Sequence, residues 1–134
     1  MSKFIKISDA IVAQPAANLE WAVQLLCEGK RAEFAEAEAA CTALDLGGYQ
    51  DWRLPTVEEL FLLADRTKVD PAIDQEYFPE TPAAFTWSST PYADNPADYA
   101  WGVSFDDGGT YIAYRNYTGF VRAVRSVSPA APGQ

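Results

Sequence analysis

The sequence has no histidine, one methionine and two cysteines among its 134 residues. Without histidine, every catalytic triad that depends on an imidazole is excluded, and so is a zinc site of mixed Cys and His ligands. A cysteine nucleophile would lack its customary base. Positive charge is also scarce: ten Lys and Arg stand against nineteen Asp and Glu, a net charge of -9. Nucleic acid, anionic membrane and sulfated polysaccharide each want a basic surface, so all three are disfavoured as partners. Arg115, Arg122 and Arg125 cluster near the end and read as solvated rim charges or as partners for the many carboxylates. No apolar run approaches the ~20 residues that cross a bilayer. Met1-Ser2-Lys3-Phe4-Ile5-Lys6 is followed by neither an apolar segment nor a small-residue cleavage site. No secretion signal is therefore expected, and the expected location is cytoplasmic or virion-associated. A Cys27–Cys41 disulfide would need an oxidising compartment, which that location argues against. Cys41 lies in a helical pattern and reads as a small buried residue.

Nearly half of the residues are apolar, enough for one core, and the length suits a single domain over residues 1–127 with a frayed tail over 128–134. The densest signal is the run Gly47-Gly48-Tyr49-Gln50-Asp51-Trp52-Arg53-Leu54-Pro55-Thr56-Val57-Glu58-Glu59-Leu60. The glycines can end a helix in left-handed backbone. Trp52 brings a large apolar surface with a polar N–H, and Pro55 biases Leu54 toward an extended conformation. Thr56 and Glu59, three apart, form a capping box for a new helix. Asp51 and Arg53 read first as structural hydrogen-bonding groups around this corner; the alternative is a catalytic or ligand-gripping pair.

Along the chain, residues 3–7 read as a short strand, 10–17 as a connection and 20–26 as a half-buried strand with Trp21, Val23 and Leu25 on one face. Residues 31–46 form the clearest helix, with Phe34, Ala37, Cys41 and Leu44 in one stripe and Gly47 ending it. A second helix starts at Val57, reaches 64–66 and is expected to be packed nearly all round. Residues 67–82 form a loop pinned by Ile73, Tyr77 and Phe78. Strands follow at 85–90, 99–105, 110–115 and 120–127. The Asp106-Asp107-Gly108-Gly109 hairpin turn between the middle two uses positive φ at both glycines. Two helices followed by an antiparallel meander define an α+β chain, with no internal repeat and no linker to a second domain.

The ordered set Leu46-Gly47-Gly48-Tyr49, Asp51-Trp52-Arg53-Leu54-Pro55-Thr56, Glu59-Leu60, Pro71-Ala72-Ile73-Asp74, Tyr77-Phe78-Pro79, Trp87-Ser88-Ser89-Thr90, Ala100-Trp101 and Val121-Arg122-Ala123-Val124-Arg125 resembles the domain at the C-terminus of the Legionella collagen-like adhesin. The resemblance covers about residues 19–127. It implies a C-type-lectin-like fold, with two helices on a small twisted antiparallel sheet and long loops, and a binding role without catalysis. Short versions without a signal resemble phage and prophage members. Some relatives are variable proteins of diversity-generating retroelements. Two departures limit the transfer. Many members carry a cysteine where this chain has Ala123, pairing with the position of Cys41. The adhesin's polyanion binding rests on positive charge, which this acidic chain lacks. No collagen-like stalk is present, so a trimer does not carry over and homo-oligomerisation stays open. No pair of nearby cysteines matches the oxidase chemistry of the formylglycine-generating relatives.

The candidate ligand-binding residues are Tyr92, Asp94, Asn95, Asp98, Tyr99, Tyr111, Tyr114, Arg115, Asn116 and Tyr117. Tyrosine offers contact area at little rotamer cost, and Asn and Asp offer adaptable hydrogen bonds, as in an antibody paratope. Trp87, Trp101 and Phe105 read as core instead. Asp94, Asp98, Asp106 and Asp107 carry calcium-compatible oxygens but match no calcium-loop spacing and read as turn residues. The expectation is a recognition module for a protein or glycan, with no catalytic residue, metal or cofactor. The alternatives are a carboxylate-dependent hydrolase and a structural subunit of a virion or other assembly.

Overall fold

The structure, a computed structural model, describes residues 3–127; the expected tail over 128–134 lies outside them. Strands β1 (Ile5–Lys6), β2 (Ile11–Gln14) and β3 (Leu19–Ala22) pair antiparallel in succession. β2 corrects the reading of 10–17 as a connection. All four of its residues are buried, and its short Ile-Val-Ala step precedes Pro15, which opens a single 3-10 turn closed by Asn18 in left-handed backbone (φ 55). Asn tolerates that conformation, so the hairpin needs no glycine. β3 covers only the first part of the expected strand. Trp21 is fully buried and its indole N–H donates to Gln14 Oε1 at 2.9 Å, whereas Val23 and Leu25 remain half-buried.

Helix α1 (Phe34–Thr42) carries the predicted stripe of Phe34, Ala37 and Cys41 but is shorter than 31–46 at both ends. Gly47 does not cap it. Gly47 and Gly48 (φ 65 and 85) make the two-residue turn of a Leu46–Tyr49 bridge with reciprocal bonds of 3.1 Å, a turn that needs positive φ twice. The following corner matches its reading. Trp52 is buried and donates from Nε1 to the Leu46 carbonyl at 3.2 Å. Helix α2 (Val57–Phe61) starts from the capping box, with Thr56 Oγ1 accepting the Glu59 N–H at 3.2 Å and Glu59 Oε1 accepting the Thr56 N–H at 2.8 Å. It ends well before 64–66, and Leu62 is 43% exposed. Only one side meets the core, which corrects the expectation of packing all round.

Asp51 and Arg53 do not act as a pair. Arg53 donates to both Glu59 carboxylate oxygens at 2.7 and 2.8 Å. Asp51 accepts from Arg125 Nε at 2.8 Å, while Arg125 Nη1 donates to Glu20 at 2.8 Å and its guanidinium lies 3.5 Å from the Tyr49 ring centre. The Arg125 bond holds the Asp51 carboxyl below its ordinary value. Both residues lock the corner, as the structural reading expected.

The segment after α2 is a loop whose Ile73 and Phe78 are completely buried. Strands β4 (Phe85–Pro91), β5 (Tyr99–Ser104) and β6 (Gly109–Tyr114) then form a second, three-stranded sheet in that order. In the β5–β6 turn only Gly108 takes positive φ (83), one glycine fewer than expected. The last strand, β7 (Val124–Ser126), is shorter than 120–127 and does not extend this meander. It pairs with β3, matching Glu20 with Arg125 and Trp21 with Val124. The result is α+β, with two helices and two small antiparallel sheets where one meander was expected. Among the described residues no helix is long and apolar enough to cross a membrane.

The reason for the crossover is visible at Arg122, 1% exposed. Its guanidinium donates to the Ala22 carbonyl at 2.9 Å, to the Val23 carbonyl and to Thr81 Oγ1 at 3.1 Å, and stacks 5.0 Å from the Phe78 ring. Burial lowers its pKa to about 10, so it stays charged at neutral pH. No carboxylate pairs with it among the described residues. A cation there is tolerable only because oxygen atoms surround it. Those oxygens belong to the end of β3 and to the long loop, so Arg122, together with the Ala22 N–H to Ala123 carbonyl and Leu26 N–H to Val121 carbonyl bonds, ties this segment to the first sheet.

Arg122→Met should therefore cost about 2 kcal/mol or more, because the orphaned Ala22 and Val23 carbonyls outweigh the relief of burying a charge. Denaturant titration with an unchanged m-value would show it. A second expectation concerns acid. Burial pushes Glu59 up, but bonds from Arg53 and Thr56 outweigh it and hold the carboxyl below its ordinary 4.5. The folded state thus gives up this proton more readily than the unfolded one. The stabilisation is present above that value and is lost as pH falls through the folded pKa. Glu59→Gln should cost about 1 kcal/mol at neutral pH after allowing for solvent screening. It should also flatten the decline of stability below 4.5 in acid denaturation followed by circular dichroism.

Candidate ligand-binding face

The β5–β6 hairpin positions most of the candidate residues. Its register runs from Tyr99 opposite Tyr114 to Ser104 opposite Gly109 without a shift. Directly paired side chains share a face and neighbours alternate, so the tyrosines divide. On one face Tyr99 and Tyr114 pack with ring centres 4.4 Å apart, and Tyr92 leans edge-on against Tyr99 and Trp101 at 6.0 and 5.9 Å. The Tyr114 hydroxyl bond raises the Tyr99 phenol above its ordinary value. Trp101, read as core, is only half-buried in this row, whereas Trp87 and Phe105 are buried as expected.

On the other face Tyr111 lies opposite Gly102, and Phe85 from β4 covers that glycine. A Cβ on Gly102 would stand 2.4 Å from Phe85 Cζ and 2.4 Å from the Thr86 carbonyl oxygen, so only glycine lets this ring cross the strand. Tyr117 meets Phe85 edge-on at 5.9 Å. Phe85, Ser104, Tyr111, Ala113 and Tyr117, with Ile112 and Tyr114 at the rim, line an open, largely apolar groove of about 390 Å³. Tyr111, Tyr114 and Tyr117 are 46, 58 and 49% exposed, so this part of the set is surface. Phe85, Ser104, Ile112 and Ala113 were not among the predicted residues. The signal for them was Gly102 inside an aromatic strand, which marks close approach of another group.

The acidic members sit at the two ends of the hairpin. Asp107 accepts from the Gly109 N–H at 2.8 Å and from the Tyr111 hydroxyl at 2.9 Å. The backbone bond and then the phenol hold its carboxyl below the ordinary value, and the same contact raises Tyr111. Asp106 accepts from Ser104 and from the Asp107 N–H. At the far end Asp98 accepts from Asn95 at 3.3 Å, and Asp94 is exposed nearby in sequence. These carboxylates work in turns, and no three metal-ligating side chains converge among the described residues. Arg115 holds the loop in place: it donates twice to the Pro96 carbonyl, at 2.7 and 3.1 Å, and stacks 4.2 Å from the Phe34 ring. Asn116 and Tyr117 follow in the exposed turn.

A larger cleft of about 600 Å³ is lined by Asp9, Glu28, Glu80 and Pro79 among others. Glu28 and Glu80 have left-handed backbone (φ 57 and 60). All three carboxylates are exposed, whereas acid–base pairs are tuned by a water-excluding surround. The apolar groove with a few convergent polar groups is the better candidate for holding a ligand.

Residues 10–125 match the profile of the Lcl C-terminal domain family. No curated protein matches the chain. The matched span takes in β2 through the Glu20–Arg125 pair of β3 and β7, with the Trp52 corner, the buried Arg122 and the whole grooved hairpin between them. The chain belongs to the Lcl C-terminal domain family.

Proposed function

We propose that this chain is a single-domain, non-enzymatic recognition module of C-type-lectin-like fold, and that it binds a protein or glycan ligand on the β5–β6 hairpin. One observation carries the reading: Tyr111, Tyr114 and Tyr117 stand exposed around an apolar groove, while the polar side chains of the interior are satisfied by backbone and side-chain partners within the frame. No buried side-chain polar atom lacks a partner among the described residues. Two helices against small antiparallel sheets with long loops support the fold assignment. Membership of a family named for an adhesin's C-terminal domain supports a binding role. The Tyr, Asn and Asp residues supply adaptable contacts on a rigid hairpin.

A phage-type or retroelement-diversified origin belongs to the same reading. Val121, Arg122, Ala123 and Val124 are buried, so diversification compatible with this fold would spare them and act on about residues 109–118. A near-repeat of the codons for 101–125 differing at adenines, beside a reverse transcriptase gene, would test that origin.

The binding reading is tested by amide chemical-shift mapping against a panel of monosaccharides, disaccharides and short peptides. Shifts should concentrate on residues 111–117 for any probe that binds, and Tyr111→Ala should weaken it about tenfold, the size of a typical aromatic anchor. Shifts centred on Glu28 and Glu80, accompanied by turnover of a glycoside, would replace it with the hydrolase alternative.

A further inference from the structure

Among the described residues, no strand pairs with the outer edge of β6. The sheet order places β5 on its other side, and Arg115 N–H donates to the Asp98 carbonyl at 2.8 Å. In an antiparallel ladder bonded and non-bonded pairs alternate. From that bond, residues 111 and 113 turn their backbone groups to β5, while Thr110, Ile112 and Tyr114 turn theirs outward; the Gly109 N–H goes to Asp107 Oδ1 instead. Tyr114 has its carbonyl taken by the Tyr117 N–H at 2.8 Å. Thr110 and Ile112 thus present a complete rung of N–H and C=O groups to solvent, on a strand that runs six residues without a bulge.

Proteins ordinarily blunt such an edge with lysine, proline, a bulge or a very short strand. Elsewhere this chain does so: β4 ends in Pro91 after a register shift, and β1 has two residues, one of them Lys6. β6, Gly-Thr-Tyr-Ile-Ala-Tyr, has none of these devices and no charge. The charges lie at its ends. Asp106 and Asp107 precede it, and Asp98 faces Arg115 beyond it, with Asp94 in the same loop. The nearby cations are committed: Arg115 to the Pro96 carbonyl and the Phe34 ring, and Arg66 to the Gly108 carbonyl at 3.4 Å and the Phe61 ring.

We infer that β6 takes up an extended, basic polypeptide segment as a fourth strand, with alternate apolar side chains in the Phe85–Tyr111–Tyr117 groove and cationic residues flanking them against Asp107 and Asp98. This deepens, and rests on, the recognition reading. The backbone rung supplies affinity and the groove supplies side-chain selection, as in other strand-addition complexes. Charge complementarity selects the occupant. A second copy would bring another -9 to an acidic rim, which opposes association.

The test uses a labelled peptide of about nine residues, a usual strand length, with alternating valine and threonine between paired lysines. Binding is followed by fluorescence anisotropy and amide shifts. The inference expects binding that strengthens several-fold as salt falls from about 200 to about 50 mM. It also expects at least a tenfold loss when alternate peptide amides are N-methylated. Ile112→Pro should abolish binding yet leave the hairpin folded, since the N–H it removes faces away from β5. If that variant unfolds, the N-methyl comparison decides alone. Equal binding of a glutamate-flanked peptide would overturn the inference. So would indifference to N-methylation, or a homodimer in sedimentation equilibrium that Ile112→Pro dissolves. Shifts at Tyr111 and Tyr117 without N-methyl sensitivity would sink strand addition while leaving the recognition face standing. Binding with no shift on residues 109–117 would sink both.

Discussion

The arrangement depends on a cation that has nowhere to go. Arg122 is enclosed, charged and without a carboxylate partner among the described residues, and it survives there because the carbonyls of Ala22 and Val23, the Thr81 hydroxyl and the face of Phe78 close around it. A buried charge that is not solvated by the protein is far costlier than the few kcal/mol that separate folded from unfolded chains. The end of β3, the long loop and the approach to β7 are therefore bound to one another by a shared obligation. Moving any of them takes hydrogen-bond acceptors away from the same buried guanidinium.

Around that centre the polar groups come in closed sets. Arg125 is gripped by Asp51 and Glu20 and rests on Tyr49; Arg53 and Glu59 join the corner to the cap of α2. These sets leave the frame few alternative arrangements. The hairpin β5–β6 is different in kind. Its ladder is regular, its aromatic rings are half in solvent, and its carboxylates stabilise turns without neutralising one another. Rigidity in the frame and open valence on the hairpin are complementary: a recognition surface held by a floppy base would lose its affinity to ordering entropy.

Local chemistry was legible in the sequence wherever a short run had to solve its own backbone problem. Thr56 and Glu59 announced the helix start, Trp52 announced a buried corner, and Tyr99 to Tyr114 announced a hairpin. Tyr111, Tyr114 and Tyr117 were candidates because an alternating run cannot bury every side chain, and all three are exposed. What was not legible was long-range. Residues 120–127 look like one more strand of a meander. Partners about a hundred residues away, the carbonyls that meet Arg122 and the Glu20 that meets Arg125 among them, hold the chain on β3 after it leaves β4. The two glycines after α1 read as a helix stop because local rules cannot distinguish that role from a two-residue turn closing between Leu46 and Tyr49. Trp101 read as core because alternation does not tell which end of a face a helix covers. The groove's tyrosines were legible but its floor was not, because Phe85 comes from another strand.

That division of the groove has an evolutionary meaning. The floor belongs to Phe85 and depends on the bare backbone of Gly102; the walls belong to Tyr111 and Tyr117, on the next strand and turn. Depth and chemistry are thus encoded by separate codons in separate elements. A substitution at Tyr111 or Tyr117 would alter the walls and leave the trough beneath them, Phe85 crossing Gly102, as it stands.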